Sequence, residues 1–224
     1  MAKIAQIYLN QFQNIKFEFK TLSIMKKTFI IIGIIALVVL VVIVWPISSM
    51  VGSYNKMVKM DEGVKSAWAQ VENVYQRRLD LIPNLVNTVK GVANFEKETL
   101  TQVIEARANA TKVTIDPSKM TEENMKQFQA AQGQVSSTLS RLMVTVEQYP
   151  QLRATENFKE LQSQLEGTEN RISTERRRFN EVAQEYNGYI RSFPRNIYAS
   201  WYNFKERPYF QAEASASKAP EVKF

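Results

Sequence analysis

The sequence predicts an all-α chain: an N-terminal transmembrane helix, then an elongated antiparallel up-down four-helix bundle with a short C-terminal tail. Three observations carry that class. Residues 29–44 contain no polar side chain. The prolines at 46, 83, 117, 150, 194, 208 and 220 leave four proline-free intervals of 32 to 43 residues between positions 47 and 193. Within those intervals apolar residues recur in steps of three and four, the period of one helix face, and no alternating strand pattern competes.

The first element is the membrane segment. Phe29 to Val44 reads FIIIGIIALVVLVVIV, and the stretch through Ile47 is nineteen residues. At a helical rise of ~1.5 Å per residue it spans about 28 Å, close to the hydrocarbon thickness of a bilayer. Lys26 and Lys27 flank one end and Trp45 marks the other as an interfacial residue. A cleaved signal peptide has a shorter apolar core of roughly 7–15 residues, so residues 25–47 read as an uncleaved signal anchor crossing the membrane once. Residues 1–24 form an N-terminal extension, either an upstream addition before the natural-looking start Met25-Lys26-Lys27 or a short genuine tail.

The chain carries 29 Lys and Arg against 22 Asp and Glu, a formal net charge of +7. Residues 1–28 hold five lysines against Glu18 alone, and the remaining 24 basic and 21 acidic residues nearly balance. Most of the basic excess therefore precedes the membrane helix, which argues against nucleic-acid binding by the region that follows. The two lysines nearest the apolar stretch lie upstream of it. That places the N-terminus inside and the bundle on the outer, periplasmic or extracellular side of a bacterial inner membrane.

Proline is costly inside a helix and tolerated in its first turn, so the intervals 47–82, 84–116, 118–149 and 151–193 read as four helices. In the first, Tyr54, Met57, Val64, Trp68, Val71 and Tyr75 share a face with Asp61 and Arg78. In the second, Leu85, Val89, Val92, Leu100 and Val103 fit less cleanly. The third carries Met125, Phe128, Val135, Leu139, Leu142, Val146 and Tyr149 around Gln132. The fourth carries Phe158, Leu161, Leu165, Ile172, Phe179, Val182, Tyr186, Tyr189 and Phe193, interrupted by Thr168 and Glu175. These are coiled-coil-like seams. Short connections at 80–83, 111–121 and 150–155 make neighbouring helices antiparallel. A helix of ~36 residues is about 54 Å long, so the bundle is expected to be a rod, with bends at Pro46 and Gly52. The seam residues Asp61, Arg78, Gln132, Thr168 and Glu175 either line a site or fix register and pairing through internal hydrogen bonds.

At this point several stretches resemble the LemA family of bacterial membrane proteins. They are Arg77-Arg78-Leu79-Asp80-Leu81-Ile82-Pro83-Asn84-Leu85-Val86 with Val89-Lys90-Gly91, then Glu147-x-Tyr149-Pro150-x-Leu152 and Leu165-Glu166-Gly167-Thr168-Glu169-Asn170-Arg171-Ile172. Tyr186-Asn187, Phe193-Pro194 and Pro220-x-Val222-x-Phe224 match as well. The resemblance covers about residues 25–224. It implies a single-pass anchor with a helical bundle and a poorly defined biochemical role. Residues 1–24 lie outside the pattern, and Phe95 stands where relatives often carry His before Glu96. Nothing in the chain resembles a kinase motif. Within the signature, Arg77 and Arg78 read as cations at a helix C-terminus, with Asp80 capping a next helix begun by Pro83. Asp116-Pro117 and Thr155 read as starts of the third and fourth helices.

After the fourth helix, Ser192 to Phe210 holds seven aromatic residues interleaved with basic ones. Four antiparallel helices return the chain to the bilayer, and Tyr and Trp beside cations suit a lipid interface. Arg195, Tyr198, Trp201, Tyr202, Phe204, Lys205 and Arg207 join Trp45 as membrane-interface candidates. The same aromatics could instead cap the bundle's own core. Residues 1–24, 25–47, 48–210 and 211–224 thus divide into extension, anchor, LemA-like bundle and flexible tail.

The composition excludes much chemistry. There is no Cys and no His, so disulfides, thiolate nucleophiles, imidazole bases and the histidine-containing metal motifs are out. Gly52 and Gly63 are the nearest glycines, so no Gly-rich phosphate loop exists. No enzyme, cofactor or small-molecule substrate is expected. Membrane lipid, an unknown protein and a second copy are the expected partners. The function read here is a membrane-anchored helical scaffold of the bacterial cell envelope, with Arg77, Arg78, Asp80, Tyr149 and Arg153 at its far tip, or a side face, as the partner surface. The alternative is a lipid-contacting or self-assembling protein that affects membrane integrity.

Overall fold

A computed structural model describes residues 2–92 and 95–211, with side chains placed for 31–44, 47–92 and 95–211. Among the described residues every regular element is helical. Helix α1 spans Ala2–Lys90, α2 Lys97–Lys112, α3 Glu122–Val146, α4 Pro150–Arg153, α5 Glu156–Arg191 and α6 Arg195–Trp201, with a 3₁₀ turn at Pro117–Lys119. The chain divides into two units, Met1–Ser53 and Tyr54–Phe224, and α1 contributes to both.

The first unit contains the one helical segment among the described residues that is long and apolar enough to cross a membrane. Its large side chains from Ile31 to Val44 are all exposed. Aliphatic side chains left in contact with surroundings over four turns suit a hydrocarbon solvent and would be costly in water. Pro46 and Gly52 both lie within α1. The side chain of Trp45, the Lys26–Lys27 flank and the extension 1–24 lie outside the described side chains, as does the tail beyond Gln211.

The second unit buries two apolar clusters. The first holds Met57, Val64, Trp68, Val71 and Tyr75 of α1, Met125 and Phe128 of α3, Ile172 to Ile190 of α5, and Phe210. The second holds Leu79 to Val89 of α1, Leu100 to Ala110 of α2, Val135 to Val146 of α3, Leu152, and Phe158 and Leu165 of α5. Reading up the chain, α1 and α3 pass from the first cluster to the second, and α5 passes from the second to the first.

The expected break at Pro83 is absent: α1 runs through it and ends at Lys90, seven residues later. A proline inside a helix removes the bond to the carbonyl four residues back, at a cost of ~3 kcal/mol. That carbonyl belongs to Leu79, and the Arg107 guanidinium of α2 donates to it at 2.8 Å. The buried side chains Ile82, Leu85 and Val86 hold the turn in place around it. Arg77 and Asp80 therefore lie in mid-helix rather than at an end. Asp80 caps nothing and accepts a hydrogen bond from Gln76 at 2.8 Å.

Pro117 and Pro150 each begin a helical turn, as expected. Pro117 opens the 3₁₀ turn, with the Asp116 carboxylate accepting from the Ser118 amide at 2.8 Å. Helix α3 itself starts one turn later on a capping box. Asn124 N–H donates to the Thr121 hydroxyl at 3.3 Å, and Thr121 N–H donates to the Asn124 side chain at 2.8 Å. Thr155 occupies the cap position of α5 but makes no capping bond, and its hydroxyl donates back to Leu152 O at 2.7 Å.

Candidate functional site

The structure sorts the membrane-interface candidates into two groups. The segment after α6 turns inward. Phe210 is buried, stacked on Trp68 with ring centroids 5.9 Å apart and edge-on to Phe179 at 5.5 Å. Two asparagines of α5 hold this strap by its backbone. Asn187 donates to Arg207 O at 2.8 Å and accepts from Arg207 N–H at 2.8 Å. Asn180 does the same to Phe210, at 3.0 and 2.8 Å. Reciprocal amide contacts of this kind replace the ladder that an isolated extended segment lacks.

Arg207, expected at the lipid surface, is instead an interior residue at 9% exposure. Its guanidinium donates to Asp61 Oδ1 at 2.6 Å and to Pro117 O at 2.9 Å. Asp61 also pairs with Lys65 at 3.0 Å, and Lys65 reaches Glu62 at 2.7 Å, contacts that raise the Lys65 pKa. Beside this pair stands Tyr186, fully buried. Burial, and then the Asp61 charge, push its phenol up to about 12 against the opposing pull of Arg207. Asp61, Tyr186 and Arg207 border a cleft of ≈ 430 Å³. Phe204 is half-buried and packs against the first cluster, as does Tyr198.

The second interior network is centred on Arg78. It was expected on a partner surface and is 1% exposed. Its guanidinium donates to Gln132 Oε1 at 2.6 Å, Gln132 O at 3.1 Å, Ser136 Oγ at 2.7 Å and Glu169 Oε1 at 2.7 Å. Those partners lie on α3 and α5, so one side chain ties three helices together at the boundary between the two clusters. The Tyr75 ring lies 5.1 Å from the guanidinium. Of the seam polar residues, Arg78 and Gln132 are thus paired across helices, and Asp61 is paired with the strap. Thr168 bonds only its own helix, donating to Gln164 O at 2.7 Å, and Glu175 lies 3.9 Å from Arg178.

Arg77, Asp80 and Arg153 are exposed, and Tyr149 is half-buried with its ring 5.0 Å from Phe95. Phe95 and Tyr149 bring together the turns after α1 and α3. Arg77 and Asp80 belong elsewhere, ten or more residues before the end of α1. A different surface feature lies between α3 and α5: a groove of ≈ 590 Å³ lined by Ser136, Leu139, Met143, Leu165, Glu166 and Glu169, among others. Sequence reasoning missed it, because a groove is a gap between two helices and neither stripe records it. It also missed Asn180 and Arg107, which carry no local signal. Asn187 was visible only within the Tyr186-Asn187 match.

Trp201, at 68% exposure, and Tyr202, at 44%, remain outside, together with Phe193 at 79% and Ile197 at 40%. Lys205 is exposed, and Arg195 is half-buried against the Tyr189 ring, 4.4 Å from its centre. Among the described residues, no three His, Cys, Asp or Glu side chains are grouped to hold a metal ion.

Comparison with known proteins agrees with the signature residues. The magnetosome protein MamQ 2 of Paramagnetospirillum magneticum is 28% identical over 193 residues, covering 79% of this chain and 71% of that protein. The magnetosome protein MamQ of Magnetospirillum gryphiswaldense is 28% identical over 197 residues, with the same coverage. Protein LemA of Metamycoplasma hominis is 24% identical over 162 residues, covering 72% of this chain and 70% of its own. The LemA family model matches residues 67–224, from the Trp68 turn of α1 through the strap that closes the aromatic cluster. The chain belongs to the LemA family.

Proposed function

We propose that this protein is a non-catalytic scaffold of the bacterial cell envelope, held by a single inner-membrane span with its helical unit on the outer side. In this reading α1, α2, α3 and α5 form an up-down antiparallel four-helix bundle, which the order of their passage through the two clusters supports. The observation that carries the scaffold role is the groove between α3 and α5. Its floor is apolar, from Leu139 and Leu165, and Glu166 stands on its rim as the acid left for a partner, since Glu169 beside it is paired with Arg78. An amphipathic, basic segment of a partner protein fits that combination by shape and by charge. The buried charges of the unit are committed internally at Arg78 and Arg207, so recruitment falls to the surface.

The test places a photo-cross-linking residue at Met143 in the full chain in its own membrane, with Thr111 on α2 as control. The expected result is one discrete protein adduct at Met143 that saturates and is lost on Glu166→Lys. Equal adducts at both positions, or lipid adducts alone, overturn the reading.

A further inference from the structure

Beyond that reading, and independent of any protein partner, we propose that the outer face of α6, together with Phe193 two positions ahead of it, is a foot that rests on an anionic lipid surface. Phe193 is the most exposed large hydrophobic side chain among those described, and Ile197 and Trp201 stand one turn apart on α6. The opposite side of the helix is accounted for: Ala199 is buried and Tyr198 packs on the first cluster. Single exposed apolar residues need no explanation, but a Phe, an Ile, a Trp and a Tyr within ten positions form a patch that water does not favour.

Two observations select lipid as the occupant. The first is the tether. Tyr202 packs on Tyr54 with ring centroids 4.7 Å apart, and Tyr54 stands only seven residues beyond Ile47, where the apolar segment ends. Seven residues reach at most about 25 Å even when fully extended. That chain length is the most that can separate Tyr54, the residue against which Tyr202 packs, from Ile47. The second is charge. Lys56 and Arg195 both lie over the Tyr189 ring, at 4.8 and 4.4 Å, and Lys205 is exposed nearby. Between positions 191 and 207 the acid is Glu206, which lies 3.7 Å from Arg191. On the facing turn of α1, Asp61 is committed to Arg207 and Lys65, and Glu62 to Lys65. Lys56 and Arg195 are held by the Tyr189 ring, and Arg195 also by the Ser192 hydroxyl at 2.8 Å, rather than by carboxylates, and aromatic side chains beside such cations match the boundary between acyl chains and anionic headgroups.

The lack of native cysteine makes the test direct. Phe193→Cys in the full chain is labelled with an environment-sensitive fluorophore and reconstituted into phosphatidylcholine vesicles with or without phosphatidylglycerol. Ser137→Cys on α3 serves as control, and far-UV circular dichroism confirms an unchanged fold. The expected result is a blue-shifted emission quenched by headgroup-proximal bromolipids at position 193 and not at 137. That contact should weaken in neutral vesicles, in high salt and on Arg195→Glu with Lys205→Glu. Emission equal at the two positions overturns the proposal. So does a blue shift that grows with protein-to-lipid ratio and resists lipid quenching, which would mean that a second copy covers the face. Equal quenching on neutral and anionic vesicles overturns the role given to the cations.

Discussion

The two clusters of the second unit use different side chains and are closed by different means. The cluster around Leu142 is aliphatic and walled by helices, with Phe95 and Phe158 as its buried aromatics among the described residues. The cluster around Trp68 brings together Trp68, Tyr75, Phe128, Phe179, Tyr186 and Phe210, and its last wall is a non-helical strap held by two asparagines. Helical periodicity alone suffices where four amphipathic helices meet. Where one side is finished by irregular chain, named polar contacts must fix each turn of backbone, because irregular backbone has no ladder of its own to satisfy it.

Removing the strap should have the largest effect. A chain ending at Glu206 loses the Arg207 pair and the Phe210 ring, and a buried Phe alone is worth about 3–5 kcal/mol. Hydrogen exchange should then speed up around Trp68 and Phe179 while amides near Leu142 keep their protection. Uniform loss across both clusters would show that they open as one cooperative core.

Arg78 sits between the clusters, and Arg78→Leu should cost roughly 2–4 kcal/mol in chemical denaturation. Glu169, at 45% side-chain exposure, can return to water, but buried Gln132 loses the guanidinium its side chain bonds. A cost within experimental error would mean that the two clusters need no polar seam between them.

A smaller effect probes the aliphatic end. Arg107→Met should cost about 1–2 kcal/mol by leaving the Leu79 carbonyl without its donor. In a Pro83→Ala background the restored amide can serve that carbonyl, so the same substitution should cost clearly less. Additive costs in that double-mutant cycle would separate Arg107 from the proline.

The smallest effect belongs to Tyr186 at the aromatic end. Its folded pKa of about 12 lies above the ordinary value of 10.0. The associated stability is therefore fully present below pH 10 and is lost as pH rises from there through about 12. Tyr186→Phe should leave neutral-pH stability close to wild type and remove that alkaline slope. A slope unchanged in the variant would assign it to other groups.

Much of this was legible in residue spacing, and the failures have physical causes. Seam positions such as Met57, Trp68, Val135 and Leu142 are buried as their period requires. The segment long and apolar enough to cross a membrane was legible from length and apolarity alone. Pro83 misled because proline's penalty is local, whereas the compensation comes from Arg107, 28 positions away from the carbonyl it serves. Phe193 continued the α5 stripe by count yet lies outside, because the helix ends at Arg191. Arg207 looked like a surface charge, and Arg78 was read both on the first seam and on the partner surface, since a sequence does not reveal the acceptors that let an arginine be buried. The groove between α3 and α5 was illegible because it is a gap between two helices that neither stripe records.

The Asp61–Arg207 contact spans 146 positions. During synthesis Asp61 leaves the ribosome long before Arg207 exists, and the aliphatic cluster has all its members once Leu165 has been made. The molecule is therefore finished from the inside of its sequence outward, with the aromatic end kept open until the strap emerges. A chain stalled or clipped ahead of Arg207 would present an unclosed ring of Trp68 and Phe179 beside an acid that has lost its buried partner. An incomplete copy therefore differs from a complete one by an open aromatic surface and not by its aliphatic end.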